Sequence, residues 1–334
     1  MDVLFKESGN KLICQLCPHF CKLGEGKTGI CGVRSSNGKE IELLTYGIIS
    51  GIAVDPVEKK PLYHFYPGSS ILSVGSYGCN MKCDFCQNYH ISQNIFIDDS
   101  KRTEPDTLIE KAKSTHNNIG IAYTYNEPAI WFEFVRDVAL QGRRVDLKNV
   151  MVTNGYIAPE PLNRYLDFID AFNVDLKSFN PDFYKKLTGA ELEPVKKALK
   201  QISVSESHLE ITTLIIPGLN DSTDEMERQA KWISEELGTD VPLHLSRYFP
   251  MYKRDNPPTS GEKLNELFHT ASSFLKYVYI GNSSEHDAQD THCPSCKKLV
   301  TRRRGYYIEH PGTDDGRCSG CGYKIYDYFT SLSS

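Results

Sequence analysis

Cys79, Cys83 and Cys86 fall in one eight-residue loop at C-x3-C-x2-C spacing, within Gly78-Cys79-Asn80-Met81-Lys82-Cys83-Asp84-Phe85-Cys86-Gln87-Asn88. Three thiols in so short a stretch cannot all pair as disulfides, and a closed tetrahedral zinc site needs a fourth ligand. The same three can hold three corners of a [4Fe–4S] cluster and leave one iron open to a small molecule. The bland alternative is a tight zinc loop or three unrelated buried cysteines.

The chain's 11 cysteines divide into three groups. Cys14, Cys17, Cys21 and Cys31 come first, in Cys14-x2-Cys17-Pro18-x2-Cys21 followed by Cys31-Gly32. The three-cysteine loop is second, and Cys293, Cys296, Cys318 and Cys321 form the third. The glycines at 24, 26, 29 and 32 permit the tight turns that wrap backbone around a metal. For this first group zinc and a second iron–sulfur cluster are both open readings. The paired C-x2-C knuckles of the last group signal a zinc ribbon, with a rubredoxin-like single iron as the minority reading.

The 334 residues, 40% hydrophobic and 24% charged, suit one large α/β domain with small appendages. A net charge of −5 gives no strong nucleic-acid signal. No apolar run is long enough to span a membrane, and the opening residues lack a signal-peptide core. A cytoplasmic location is expected, where thiols stay reduced and clustered cysteines bind metals.

The elements that must position the loop alternate between strand and helix, which argues for a parallel sheet with helical crossovers. Residues 1–68 read as an N-terminal four-cysteine metal-binding segment ending in a polar linker, Asp55 to Pro61. Residues 69–283 carry strands expected at Ile71–Ser76, Ile119–Thr124, Val150–Thr153, Ala171–Leu176, Leu209–Ile216, Leu243–Tyr248 and Tyr277–Ile280. Between them lie helices begun by Thr103 as N-cap, by Pro128, by Pro159 and by Asp221 or Ser222. A partial TIM-like (β/α)6 barrel is expected, and an open doubly wound sheet is the competitor. In barrels the chemistry sits at the C-terminal ends of strands, where the three-cysteine loop falls. Residues 284–334 read as the ribbon-like module.

The three-cysteine spacing resembles the signature of the radical S-adenosylmethionine (SAM) superfamily, in which the open iron chelates the amino and carboxylate groups of SAM. Other stretches resemble the radical SAM enzymes of the AmmeMemoRadiSam system, relatives of pyruvate formate-lyase activating enzymes. They are the N-terminal cysteine run, Asp55-Pro56-Val57-Glu58-Lys59-Lys60-Pro61-Leu62-Tyr63-His64, Cys86-Gln87-Asn88, Tyr125-Asn126-Glu127-Pro128 and Ile216-Pro217-Gly218-Leu219-Asn220-Asp221, with the C-terminal knuckles.

The resemblance implies a [4Fe–4S] cluster on Cys79, Cys83 and Cys86 and a set of SAM contacts. Glu127 would hold the amino group, although Tyr125 and Asn126 stand where the family motif has two glycines. Thr153, Asn154, Asp175 and Lys177 would meet the ribose and carboxylate, and Phe85 the adenine. His244, Arg247 and Tyr248, at the end of the sixth strand, are candidates for the substrate; His64 is a weaker one. For Glu127 or the Asp175–Lys177 pair alone, a helix cap or a surface ion pair is the plain reading.

The implied chemistry is one-electron reductive cleavage of SAM to a 5′-deoxyadenosyl radical that abstracts hydrogen from a substrate, taken first to be a small molecule. It needs a one-electron donor of the flavodoxin or ferredoxin type. The resemblance also implies Memo-type and AMMECR-type proteins as partners. Two other readings compete: an activase that installs a glycyl radical on a partner protein, and a non-enzymatic zinc-binding adaptor supported by Lys297, Lys298 and Arg302 to Arg304.

Overall fold

The computed structural model describes residues 4–98, 102–283 and 287–330. Its centre is an eight-stranded sheet. The strands are β6 (Gly51–Pro56), β7 (Ser70–Gly75), β8 (Asn118–Tyr123), β9 (Lys148–Thr153), β10 (Ala171–Asp175), β11 (His208–Ile215), β12 (Leu243–Arg247) and β13 (Val278–Gly281). They lie side by side in chain order. From β7 to β13 every pairing is parallel. The order never reverses, so there is no switch point of the kind a doubly wound sheet contains.

Apolar runs such as Ile211 and Ile215 in β11 or Val150 and Met151 in β9 are buried, as parallel strands covered on both faces must be. The covering helices are α2 (Pro105–Ser114), α3 (Phe132–Arg143), α4 (Pro159–Leu166), α6 (Leu192–Ser203), α7 (Thr223–Glu236) and α8 (Gly261–Ser272), with the short α1 (Tyr89–Ser92) and α5 (Pro181–Phe183) in loops. Several start as the sequence anticipates: Ser222 accepts from the Glu225 N–H to cap α7, and proline opens α2 and α4. Thr103 is not the cap of α2; Glu104 is, without a side-chain hydrogen bond. Pro128 opens a 3-10 turn, Pro128–Trp131, before α3 begins.

The stretch expected as a linker, Asp55 to Pro61, begins inside the sheet: Asp55 and Pro56 end β6, and Val57–Lys59 form a 3-10 turn. Gly51–Pro56 pairs antiparallel with β7, from Gly51 opposite Gly75 to Pro56 opposite Ser70. Asp55 is buried and accepts 2.8 Å hydrogen bonds from both Lys59 and Lys60. The polar composition here reflects a buried ion pair rather than a solvated connection.

The N-terminal residues form a small sheet of β1 (Phe5–Ser8), β2 (Lys11–Cys14) and β3 (Lys22–Leu23), and a hairpin of β4 (Arg34–Ser36) and β5 (Ile41–Leu43). The C-terminal residues form a third sheet of β14 (Thr291–His292), β15 (Leu299–Arg304) and β16 (Tyr307–Glu309). This module shares a core with the main sheet through Tyr63, Tyr277, Tyr279, Val300 and Tyr326. Arg303 is fully buried, stacked 4.1 Å over the Tyr63 ring and donating to the Tyr63 carbonyl. Arg302 pairs with Glu309 and Arg304 with Asp290. Arg303 is thus consumed in docking the module and its two neighbours in ion pairs, which weakens the support the basic run lent to a zinc-binding adaptor.

His64 joins the same interface. Its Nε2 lies 2.7 Å from the Tyr279 hydroxyl and its Nδ1 3.3 Å from the Ile325 carbonyl. Burial holds it down to about 3, against a weaker opposing pull from Glu210. The unfolded chain takes up a proton near pH 6.5 and the folded chain does not, so stability falls as pH drops from 6.5 towards 3. We expect this group to remove on the order of 4 kcal/mol across that window. Denaturant melts between pH 7 and pH 4 should show a shallower pH slope in His64→Gln than in wild type.

Candidate active site at the C-terminal edge of the sheet

β7 runs out at Gly75, and the three-cysteine loop follows within four residues. Gly78 makes the turn with φ of +87°, and a Cβ there would lie 2.6 Å from the Cys31 carbonyl oxygen and 2.8 Å from Val33 Cγ1. The first clash cannot be relieved without moving backbone. Gly78→Ala is expected to cost on the order of 2 kcal/mol through the left-handed conformation and the clash. It should also lower the iron bound per chain after reconstitution, which a colorimetric iron count would register.

The loop is clamped from several sides. Lys82 N–H donates to the Thr188 carbonyl at 2.7 Å and Asp84 N–H to the Leu187 carbonyl at 3.2 Å. Arg254 donates to Asp84 Oδ2 at 2.9 and 2.5 Å, tying the loop to the segment after β12. Asn126 donates to the Gly78 carbonyl and accepts from the Ser76 N–H, both at 2.9 Å.

A cavity of about 910 Å³ opens over this loop at the C-terminal edge of the sheet. It is lined by all three cysteines, Phe85, Glu127, Thr153, Asn154, Asp175, Lys177 and His244. Arg247 and Tyr248 are not in its lining. Arg247 donates to the Thr259 carbonyl, and the buried Tyr248 hydroxyl points to the Arg254 carbonyl. Phe85 both lines the cavity and packs 5.7 Å from the Phe183 ring.

Glu127 is buried and caps the 3-10 turn that follows it. It accepts from the Ala129 N–H at 2.9 Å, the Asn154 N–H at 2.8 Å and the Thr153 hydroxyl at 2.7 Å. Burial outweighs these bonds and pushes its carboxyl up to about 7. A cation in the cavity would favour the ionised form. Asn154 donates to Asn80 Oδ1 at 2.9 Å and lies 3.6 Å from Cys79 Sγ. Lys177 donates to Asp175 at 2.8 Å. Burial opposes the lysine's charge, but Asp175 and the Cys83 thiol together raise its pKa.

Tyr125 occupies the left-handed region at φ of +70°, a conformation suited to glycine. At this one of the two positions the backbone adopts a conformation usually left to glycine. The tyrosine hydroxyl donates to Asp55 at 2.9 Å, and its ring lies 4.8 Å from Lys60 Nζ. The edge strand thereby reaches the cavity, whose wall includes Lys60.

Glu210 was absent from the sequence expectations. Buried in mid-strand, it accepts N–H bonds from Tyr63 and His64 at 3.0 and 2.7 Å, and pairs with His208 at 2.9 Å and His244 at 2.6 Å. Burial would raise its pKa, yet these partners hold it well below the usual carboxylate range. His244 is thus a tethered histidine that also faces the cavity. The available signal was an acid inside an otherwise apolar and β-branched strand, Leu209 to Ile216.

Burial raises the Cys79 and Cys83 thiols, Cys83 to about 12, with Lys177 opposing at Cys83. Their deprotonation must therefore be coupled to metal binding. Among the described residues, only Cys293, Cys296, Cys318 and Cys321 gather their ligand atoms within 4.8 Å of one another, as a single ion requires. The three sulfurs of the loop are not gathered in this way.

The radical SAM superfamily profile matches residues 73–232, from within β7 into α7. An uncharacterized protein of Methanocaldococcus jannaschii is 40% identical over 327 residues, 96% of each chain. This chain belongs to the radical SAM superfamily. The superfamily implies SAM and a [4Fe–4S] cluster, and the donor set at the three-cysteine loop fits such a cluster. A putative glycyl-radical enzyme activating enzyme of the same archaeon is 24% identical, over 65% of this chain and 80% of its own, relating this radical SAM protein to the activating enzymes. A radical SAM methyltransferase from Sphaerobacter thermophilus shares the fold, with a TM-score of 0.52 over 65% of this chain and 67% of that one at 16% identity. Among the described residues, no helix is long and apolar enough to cross a membrane.

Proposed function

We propose that this protein binds SAM over a [4Fe–4S] cluster held by Cys79, Cys83 and Cys86, and cleaves it reductively to act on a small-molecule substrate. The observation that carries this reading is the single cavity in which the three cysteines face Glu127, Asn154, Asp175 and Lys177. When bound, the cluster supplies one electron to SAM, whose sulfonium C–S bond breaks to give methionine and a 5′-deoxyadenosyl radical. The chain's own residues bind and orient. Glu127, fixed by three donors, receives the SAM amino group. Lys177, held by Asp175, meets the carboxylate. Thr153 and Asn154 lie beside them for the ribose, and Phe85 offers an apolar face to adenine. The cavity is near the top of the range of about 300–1,000 Å³ for ligand pockets, which leaves room for a substrate beside SAM. His244, backed by Glu210, is the substrate contact this geometry favours.

A second reading, an activase for a glycyl-radical partner protein, is favoured by the activating-enzyme relative. The donor would be a flavodoxin- or ferredoxin-type protein. Within the AmmeMemoRadiSam system, Memo-type and AMMECR-type proteins would be the partners. The sequential sheet supports a partial barrel, and the four gathered C-terminal sulfurs support a structural zinc, for which a tetrahedral thiolate set is the usual cage. The test is anaerobic reconstitution, reduction and addition of SAM. Wild type should form 5′-deoxyadenosine; its absence would sink the reading. The activase reading requires in addition a glycyl-radical electron paramagnetic resonance signal on a partner protein.

A further inference from the structure

The N-terminal cysteines are the chemically armed residues that SAM cleavage at the loop does not use. Cys14, Cys17, Cys21 and Cys31 surround one void, with Leu16, Phe20, Ile30 and Ile130 as apolar lining. Backbone N–H groups of Leu16, His19 and Val33 approach the sulfurs of Cys14, Cys17 and Cys31, as amides do at metal–thiolate centres. Among the described residues, this set is not gathered within the 4.8 Å that the C-terminal set meets, so its sulfurs enclose something wider than one ion.

A second observation points to the charge of the occupant. Arg34 lines the same void and is 2% exposed. One terminal nitrogen reaches Glu133 at 2.7 Å, but its Nε and other terminal nitrogen have no hydrogen-bond partner. Buried donors of a cation left without acceptors are costly, so an anionic acceptor belongs in that void. A cluster with four thiolates is such an anion, and its sulfides and thiolates are acceptors.

The placement gives it a role. The Cys31 carbonyl abuts Gly78, next in sequence to Cys79, and the His19 ring bonds to the Asn80 carbonyl at 2.8 Å. Ala158 N–H donates to the Leu16 carbonyl, so both cysteine groups are fixed to one frame. Cys21 is the half-exposed member and marks the side open to a donor.

We infer that Cys14, Cys17, Cys21 and Cys31 hold a second [4Fe–4S] cluster, which relays single electrons from a low-potential protein donor to the cluster of the three-cysteine loop. No bond is made or broken in the relay: the donor is oxidised by one electron and the loop cluster is reduced by one. The role as relay rests on the SAM-cleavage reading; the site itself does not.

Wild type reconstituted with iron and sulfide should bind about eight iron per chain, and about four in Cys21→Ala. The reduced wild type should give two electron paramagnetic resonance signals, only one of which changes when SAM is added. With dithionite, Cys21→Ala should make 5′-deoxyadenosine at the wild-type rate; with reduced flavodoxin it should fall by about tenfold or more. Arg34→Met should lower the midpoint potential of the SAM-insensitive signal, because the buried cation favours the more negative reduced state. About four iron and two zinc in wild type would overturn the second cluster. An undiminished flavodoxin-driven rate in a Cys21→Ala protein that has lost four iron would overturn the relay. Eight iron and two signals without 5′-deoxyadenosine would uphold the second cluster and count against SAM cleavage.

Discussion

Cys83→Ala is expected to abolish SAM cleavage, reducing 5′-deoxyadenosine formation by about a thousandfold or more. Cys83 is the middle ligand of the loop and is buried, so no solvent ligand enters readily in its place. The loop backbone should survive, because its anchors lie outside the side chain removed: Lys82 to Thr188, Asp84 to Leu187 and Arg254, and Gly78 to Asn126. Losing a sulfhydryl from the cavity wall costs stability of about 1–2 kcal/mol at most, too little to unfold a domain of this size. The iron count should therefore fall by about four while the protein still melts cooperatively, with a midpoint lowered by only some degrees. Wild-type product from a folded Cys83→Ala protein would mean that the three-cysteine loop is not where SAM is cleaved.

The parts of this site legible in the sequence are those set by local spacing. C-x3-C-x2-C lies within one loop, and Glu127, Asn154 and Lys177 each follow the end of an apolar strand, so strand order alone brings them to one edge. The parts that escaped are pairings between distant positions. Asp55 meets Tyr125 across 70 residues, Asp84 meets Arg254 across 170, and Glu210 meets the Tyr63 and His64 amides across nearly 150. Nothing local marks such pairs. Asp55-Pro56-Val57-Glu58-Lys59-Lys60 reads as solvated although Lys59 and Lys60 both pair with the buried Asp55, because a buried ion pair has the same composition as an exposed one. Tyr125 shows the converse. Its side chain departs from glycine while its backbone does not, and only φ reveals that.

Lys177→Met should raise the KM for SAM by about a hundredfold, the loss expected when one member of a desolvated charge pair is removed. The lysine is positioned by Asp175 and by its own N–H, which donates to the Tyr184 hydroxyl at 3.0 Å, so it meets a carboxylate without first being ordered. That contact is equally strong before and during C–S cleavage, so kcat should change little. Asp175→Asn should do less, about tenfold in KM, because the lysine keeps its charge and loses only its orientation. Asp175 is about a third exposed and tolerates the loss of its partner better than a buried acid would. A competing effect is built into the site: Lys177 also favours the thiolate of Cys83, so its removal can weaken iron binding. The two effects separate by measurement. If the iron count of Lys177→Met matches wild type and KM rises alone, the lysine acts on the SAM carboxylate; if iron is lost and kcat falls in proportion, its work is on the cluster.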